Sequence, residues 1–111
     1  MLTNEKDGKV IAILEGRIDT TNAAQVEKEI FDVFEANEGK EIEFDAAKLN
    51  YISSAGLRVL LYSHKVAGSK GLGVYIVGLG SEVRDVMEIT GFVSFFKIFD
   101  TLEACQNEVD K

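Results

Sequence analysis

The run Lys9-Val10-Ile11-Ala12-Ile13-Leu14-Glu15 sets the strongest limit on the fold. It is almost continuously apolar and rich in β-branched residues, which fits a strand buried on both faces. Such a strand needs paired neighbours and a covering layer, and the rest of the chain must supply them. Leu2 to Glu5 can form a short strand before it, with Asp7-Gly8 as a tight turn between the two. Gly16-Arg17-Ile18-Asp19 then breaks the run.

From this point helix and strand patterns alternate. The cluster Asp19-Thr20-Thr21-Asn22 offers N-caps, and Asn22 with Gln25 has the spacing of a capping box. Ala23, Val26, Ile30, Val33 and Phe34 recur at helical spacing, opposite Glu27, Lys28, Asp32 and Glu35, and Gly39 can close that helix as a left-handed cap. Glu41 to Asp45 alternates as a strand does. Asn50-Tyr51-Ile52-Ser53 reads as a turn into a second helix, from Ser54 to about Ala67, closed by Gly68. Val74 to Val77 is another strand, and Ser81 caps a third helix carrying Val83, Val86 and Met87, stopped at Thr90-Gly91. Phe95 to Phe99 is the last strand. Asp100 or Thr101 caps a final helix with Leu102, Cys105 and Val109 inward. The order points to an α/β fold in one domain, a mixed sheet with helices packed on it.

Composition narrows the function. With 46% hydrophobic and 28% charged residues in 111, the chain is an ordinary folded protein. Its net charge of −7 argues against nucleic acid and anionic membrane surfaces as partners. No basic run, signal-like start or apolar stretch approaching the roughly 18 residues of a membrane span occurs, so a cytoplasmic location without membrane insertion is expected. The lone Cys105 excludes an internal disulfide and fits a buried small apolar group. No His/Cys cluster supports a metal.

Enzyme chemistry finds little support. His64, the one histidine, follows Ser54 on the same helix at a distance of roughly 15 Å, too far for a nucleophile–base pair. It fits a partly buried helix flank. Gly78-Leu79-Gly80 stands between a strand and a helix, but Val83 replaces the small residue of a dinucleotide fingerprint, so these glycines read as turns. A nucleotide or small-molecule site at Gly78–Ser81 is the weakest functional alternative.

The helix that begins at Ser54 carries more. At roughly 100° per residue, Gly56, Val59, Leu60, Ser63 and Ala67 gather on one apolar side, small enough in places to sit close on a sheet. Opposite lie Ser54, Arg58, Leu61 and Lys65, an exposed stripe. Ser53, just outside the helix, is the better N-cap, which leaves the Ser54 hydroxyl free at the positive end of the macrodipole. A phosphate there would be tolerated by the fold and would meet any partner docked on the stripe.

Three segments together resemble the bacterial anti-sigma factor antagonists, small stand-alone STAS domains. They are Leu14-Glu15-Gly16-Arg17-Ile18-Asp19, then Leu49-Asn50-Tyr51-Ile52-Ser53-Ser54-Ala55-Gly56-Leu57, then Ile89-Thr90-Gly91-Phe92 with Phe96-Lys97-Ile98-Phe99. The resemblance spans nearly the whole chain, residues 1–111, and implies a mixed sheet of about four to five strands flanked by about four α-helices. It also implies a non-catalytic regulator of transcription without a cofactor of its own. In that family the unphosphorylated antagonist binds an anti-sigma factor, itself a serine kinase, and frees a sigma factor. The kinase uses ATP and Mg²⁺ to phosphorylate the antagonist and break the complex, and a serine phosphatase restores it. Aligned on Gly56-Leu57, the accepting serine falls on Ser54, with Ser53 a rival acceptor where the family often has an acidic residue, and Ala55 where it often has a second hydroxyl. The acid of the Gly-x-x-Asp turn falls on Asp19. The expected partner-binding set is Asp19, Ser53, Ser54, Arg58, Leu61 and Lys65. The alternative from the same family is a scaffold or transporter-associated STAS subunit that is never phosphorylated.

Overall fold

The structure, a computed structural model, describes residues 1–6, 8–101 and 104. Asp7 and the expected final helix with Leu102, Cys105 and Val109 therefore lie outside the described residues. The elements are β1 (Thr3–Lys6), β2 (Lys9–Ile18), α1 (Ala23–Ala36), β3 (Ile42–Ile52), α2 (Ser54–Ser69), β4 (Val74–Val77), α3 (Ser81–Ile89), a 3₁₀ turn (Phe92–Phe95) and β5 (Lys97–Phe99). The five strands form one sheet in the order β1-β2-β3-β4-β5, with β1 antiparallel to β2 and the other pairs parallel. The mixed sheet and the strand count match expectation. The described residues hold three α-helices, one fewer than expected.

Each parallel connection is a helix, as a parallel pair requires. Val10, Ala12 and Leu14 of β2, Ile42, Phe44 and Ala46 of β3, and Val74 and Ile76 of β4 share one core cluster with Ile30, Val33 and Phe34 of α1, Val59, Leu60 and Ala67 of α2, and Val83 and Met87 of α3. All three helices thus bear on the same sheet face, the outcome of successive crossovers of one hand. Tyr75, Val77 and Phe99 form a second, small cluster. Val10, Ile11 and Ala12 are all buried, the two-sided burial that their sequence foretold.

Several boundaries differ from the sequence reading, each for a local reason. Gly16 does not break β2. It adopts φ +71° at an irregularity and the strand continues to Ile18. The Asn22–Gln25 capping box does not form, because the Asn22 side chain accepts from the Asp19 N–H (2.9 Å) and donates to the Arg17 carbonyl (2.8 Å). Helix α1 closes at Asn37, and Gly39 makes its left-handed turn beyond that cap. Glu43 is fully buried, since β3 lies in the middle of the sheet and alternation there does not mark a wet face.

Helix α2 passes through Gly68 to Ser69. The N-cap of α3 is Gly80, which makes Ser81 the first helical residue, and Val86 is exposed rather than inward. Phe92–Phe95 coil into a 3₁₀ turn, which shortens the last strand to Lys97–Phe99.

The largest difference lies at Asn50-Tyr51-Ile52. These residues are not a turn but the end of an eleven-residue strand. The register pairs Ile13 with Asp45 but Glu15 with Lys48, then Gly16 with Leu49 but Arg17 with Tyr51. So β3 carries an extra residue at each of two bulges. Its buried positions there become Ala46, Leu49 and Ile52, a spacing of three that conceals the strand.

Candidate functional site

The parallel pairing of β2 and β3 brings their C-terminal ends side by side. The Ser53 N–H donates to the Ile18 carbonyl (2.9 Å), which sets Asp19 next to the start of α2. A single residue, Ser53, joins β3 to α2. Its Oγ accepts from the Gly56 N–H (3.3 Å) and its carbonyl from the Leu57 N–H (2.9 Å), so it caps the helix as expected.

Gly56 explains how the helix can begin so soon. A Cβ there would stand 2.6 Å from Ile52 Cγ1 and 2.7 Å from the Ile18 carbonyl oxygen. The absence of a side chain lets α2 rest directly on the two strand ends. Gly56, Val59, Leu60, Ser63 and Ala67 are buried, and Ser54, Arg58 and Lys65 are exposed, with Leu61 half-buried between them. No hydrogen bond to the Ser54 hydroxyl is found among the described residues.

Asp19 is tied into its own loop. One carboxylate oxygen accepts from the Thr21 N–H (2.9 Å) and the Thr21 hydroxyl (2.5 Å), and the other from Arg17 Nε (3.4 Å). The Thr21 hydroxyl, then the Thr21 N–H, and to a lesser degree Arg17 hold its pKa below the ordinary carboxylate value. Asp19 is thus a fixed negative charge beside Ser53.

Two neighbours escaped the sequence reading. The second bulge turns Tyr51 outward, where it stays 43% exposed, and the Arg17 guanidinium lies over its ring at 4.3 Å. A period-three burial pattern, Ala46-Leu49-Ile52, is the signal that would have placed Tyr51 on the surface.

The other candidates have structural explanations. His64 packs against Phe95 and Phe96 with ring centroids 5.6 and 5.9 Å away. Gly78, at φ +76°, donates its N–H to the Phe99 carbonyl (2.9 Å) and abuts Ala47, which makes it a turn between packed strands. An open groove of ≈ 420 Å³ runs between β2 and α1, lined by Ile13, Glu15, Arg17, Asn22, Val26 and Glu29 among others, with no residue of α2 in it. No group of three or more metal-ligating side chains occurs among the described residues. None of their helices is long and apolar enough to cross a membrane.

A Ser-Ser step from a bulged central strand into a helix, with an Asp turn beside it, thus closes one end of the sheet. The STAS domain family model matches residues 1–105. The chain belongs to the STAS domain family. A Bordetella bronchiseptica relative, BtrV, provisionally named an anti-sigma factor antagonist, is 38% identical over 104 residues, covering 93% of this STAS domain and 89% of the relative. A Thermotoga maritima protein provisionally described as an anti-sigma factor antagonist has the same fold, with a TM-score of 0.91, 24% identity, and 99% and 94% of the two chains covered. SpoIIAA of Bacillus, solved in its phosphorylated form, superposes with a TM-score of 0.71 at 16% identity over 97% of each chain. The STAS domain described here therefore has anti-sigma factor antagonists as its relatives, a class of regulators.

Proposed function

We propose that this STAS domain is itself an anti-sigma factor antagonist switched by phosphorylation of Ser54. The unmodified chain binds an anti-sigma factor serine kinase, which releases a sigma factor, and the kinase, with ATP and Mg²⁺, ends the complex by modifying Ser54. A serine phosphatase resets it. The chain does no catalysis in this cycle, which runs in the cytoplasm.

The observation that carries this reading is the division of labour at the helix start. Ser53 Oγ is engaged in the cap, while Ser54 is exposed at the first helical position. A kinase can reach Ser54 without unpicking the helix, and the positive helix end tolerates the added charge of about −1.5 to −2. The rival acceptor Ser53 would have to abandon its bond to Gly56. A partner seated on Arg58, Leu61 and Lys65 would meet the new charge at its edge. Desolvating it unmatched costs several kcal/mol, and about 1.4 kcal/mol is already tenfold in affinity.

The test begins with the kinase that co-purifies with the tagged chain from its native cell. Incubation with ATP and Mg²⁺ and mass spectrometry should place one phosphate on Ser54 and none on Ser54→Ala. Ser54→Asp should bind that kinase at least about tenfold more weakly than wild type. A phosphate elsewhere, or wild-type binding by Ser54→Asp, would refute the proposal.

A further inference from the structure

Strand β1 covers only the first part of β2. The two pair from Thr3 with Ala12 to Lys6 with Lys9, and the last bond on that edge runs from the Ile13 N–H to the Leu2 carbonyl (2.9 Å). Beyond it β2 continues to Ile18 with β3 on its other side. The backbone directions are fixed at both ends of the strand. The Val10 N–H and the Ile18 carbonyl point to the β3 side, bonded to the Glu41 carbonyl (3.0 Å) and the Ser53 N–H (2.9 Å). The Ile13 N–H points outward, as does the Arg17 carbonyl, which accepts from Asn22 Nδ2 (2.8 Å). Alternation therefore turns the N–H and C=O of Glu15 outward, with the N–H of Arg17. No strand among the described residues meets them, and the ≈ 420 Å³ groove opens beside them.

An open edge of this kind accepts another strand, and sheets commonly guard it with charge. Here the charges are Glu15 and Arg17, both exposed, one on each side of Gly16. Their signs are opposite, so Leu14-Glu15-Gly16-Arg17-Ile18 complements itself when reversed. We propose that this edge of β2 pairs antiparallel with the same edge of a second copy of the chain, about a two-fold axis at Gly16.

In that register Glu15 of each copy stands opposite Arg17 of the other. The two residues exchange both backbone bonds and bring unlike charges together, twice by symmetry. The Arg17 carbonyl keeps a second lone pair beside its bond from Asn22. Gly16 faces Gly16 in the close, non-hydrogen-bonded position, with Cα atoms about 4.5 Å apart. No atom of the chain lies within 4 Å of where a Gly16 Cβ would stand, so that approach is open. The incoming strand lies end to end with β1, since beyond Leu2 the Met1 ammonium is drawn to Glu29 of α1 (3.4 Å). A foreign strand would satisfy the same backbone groups, but only one with an acid and a base at this spacing would satisfy the charges. The chain itself carries that pattern.

Sedimentation equilibrium of the full chain should show a mass rising from one chain toward two between about 10 µM and about 1 mM, as suits a small interface. Glu15→Arg and Arg17→Glu should each weaken self-association at least about tenfold, because like charges then face each other. An equimolar mixture of these two variants should recover it, since one chain then presents two bases and the other two acids. Lys6→Glu changes the charge as much as Arg17→Glu but lies on β1 outside the register, and it should associate as wild type. Should a variant fail to fold, amide hydrogen exchange of the wild-type chain carries the test. Raising its concentration should slow exchange at Glu15 and Arg17 but not at Gly16, whose N–H faces β3. A synthetic peptide of residues 13–19 should protect the same two amides, and one with its Glu and Arg exchanged should not. The pairing is overturned by a chain that stays monomeric throughout this range, by variants that fail to complement when mixed, or by a Lys6→Glu loss equal to that of Arg17→Glu. Equal protection by the two peptides overturns it as well, since the edge would then take any strand.

Discussion

Ser53 and Ser54 are chemically identical neighbours with opposite surroundings. Ser53 Oγ accepts the Gly56 N–H, whereas Ser54 faces solvent. Ser53→Ala should cost about 1 kcal/mol in urea unfolding and Ser54→Ala under about 0.5 kcal/mol, because only the first removes a cap. Equal losses would contradict the division between them. Asp19 provides a second residue-scale test. Its folded pKa lies below its unfolded value of about 3.9, so its contribution to stability is fully present above that value and is lost as pH falls through the folded one. An NMR titration of the carboxyl carbons should therefore show Asp19 protonating at lower pH than an ordinary aspartate. Thr21→Val should move the inflection upward, since the Thr21 hydroxyl is the main cause. An unmoved inflection would assign the shift elsewhere. The Asp19–Thr21 spacing is visible in the chain, but the direction of the Arg17 side chain is not, because it depends on where Tyr51 falls across the register.

At the scale of elements, the bulged end of β3 and the start of α2 form one unit. Its tightness rests on Gly56, which sits against Ile52 and the Ile18 carbonyl. Alanine is the better helix former, yet here its methyl would collide with backbone that cannot move aside. Gly56→Ala should destabilise the chain by about 1–3 kcal/mol in urea unfolding, and a stabilised variant would show that α2 does not rest on the strand ends. The helical faces of α1 and α2 were legible because a period near 3.6 survives any packing arrangement: Ile30, Val33 and Phe34 are inside as their spacing implies. The end of β3 was not legible. Bulges change the burial period from two to three, and a bulge is a property of two strands paired together, so one strand's residues do not announce it. The full burial of Glu43 belongs with this, since it follows from the place of β3 in the middle of the sheet, which its own residues do not state.

At the scale of the whole molecule, helix-strand alternation after a two-sided apolar strand left few architectures open, and the mixed sheet with helices on it is among them. The strand order 1-2-3-4-5 puts the ends of β2 and β3 together, and with them Asp19, Arg17, Tyr51 and the two serines. By itself the sequence determined the alternation, the inward and outward faces of α2 and the serine that its wheel leaves exposed. These follow from local geometry, where every rule acts within a few residues. Only the tertiary structure decided that β2 runs on through Gly16, that β3 reaches Ile52 by way of two bulges, and that Arg17 is laid over Tyr51. Those outcomes depend on hydrogen bonds and contacts between segments more than thirty residues apart, such as Ser53 with Ile18. No window along the chain contains both partners.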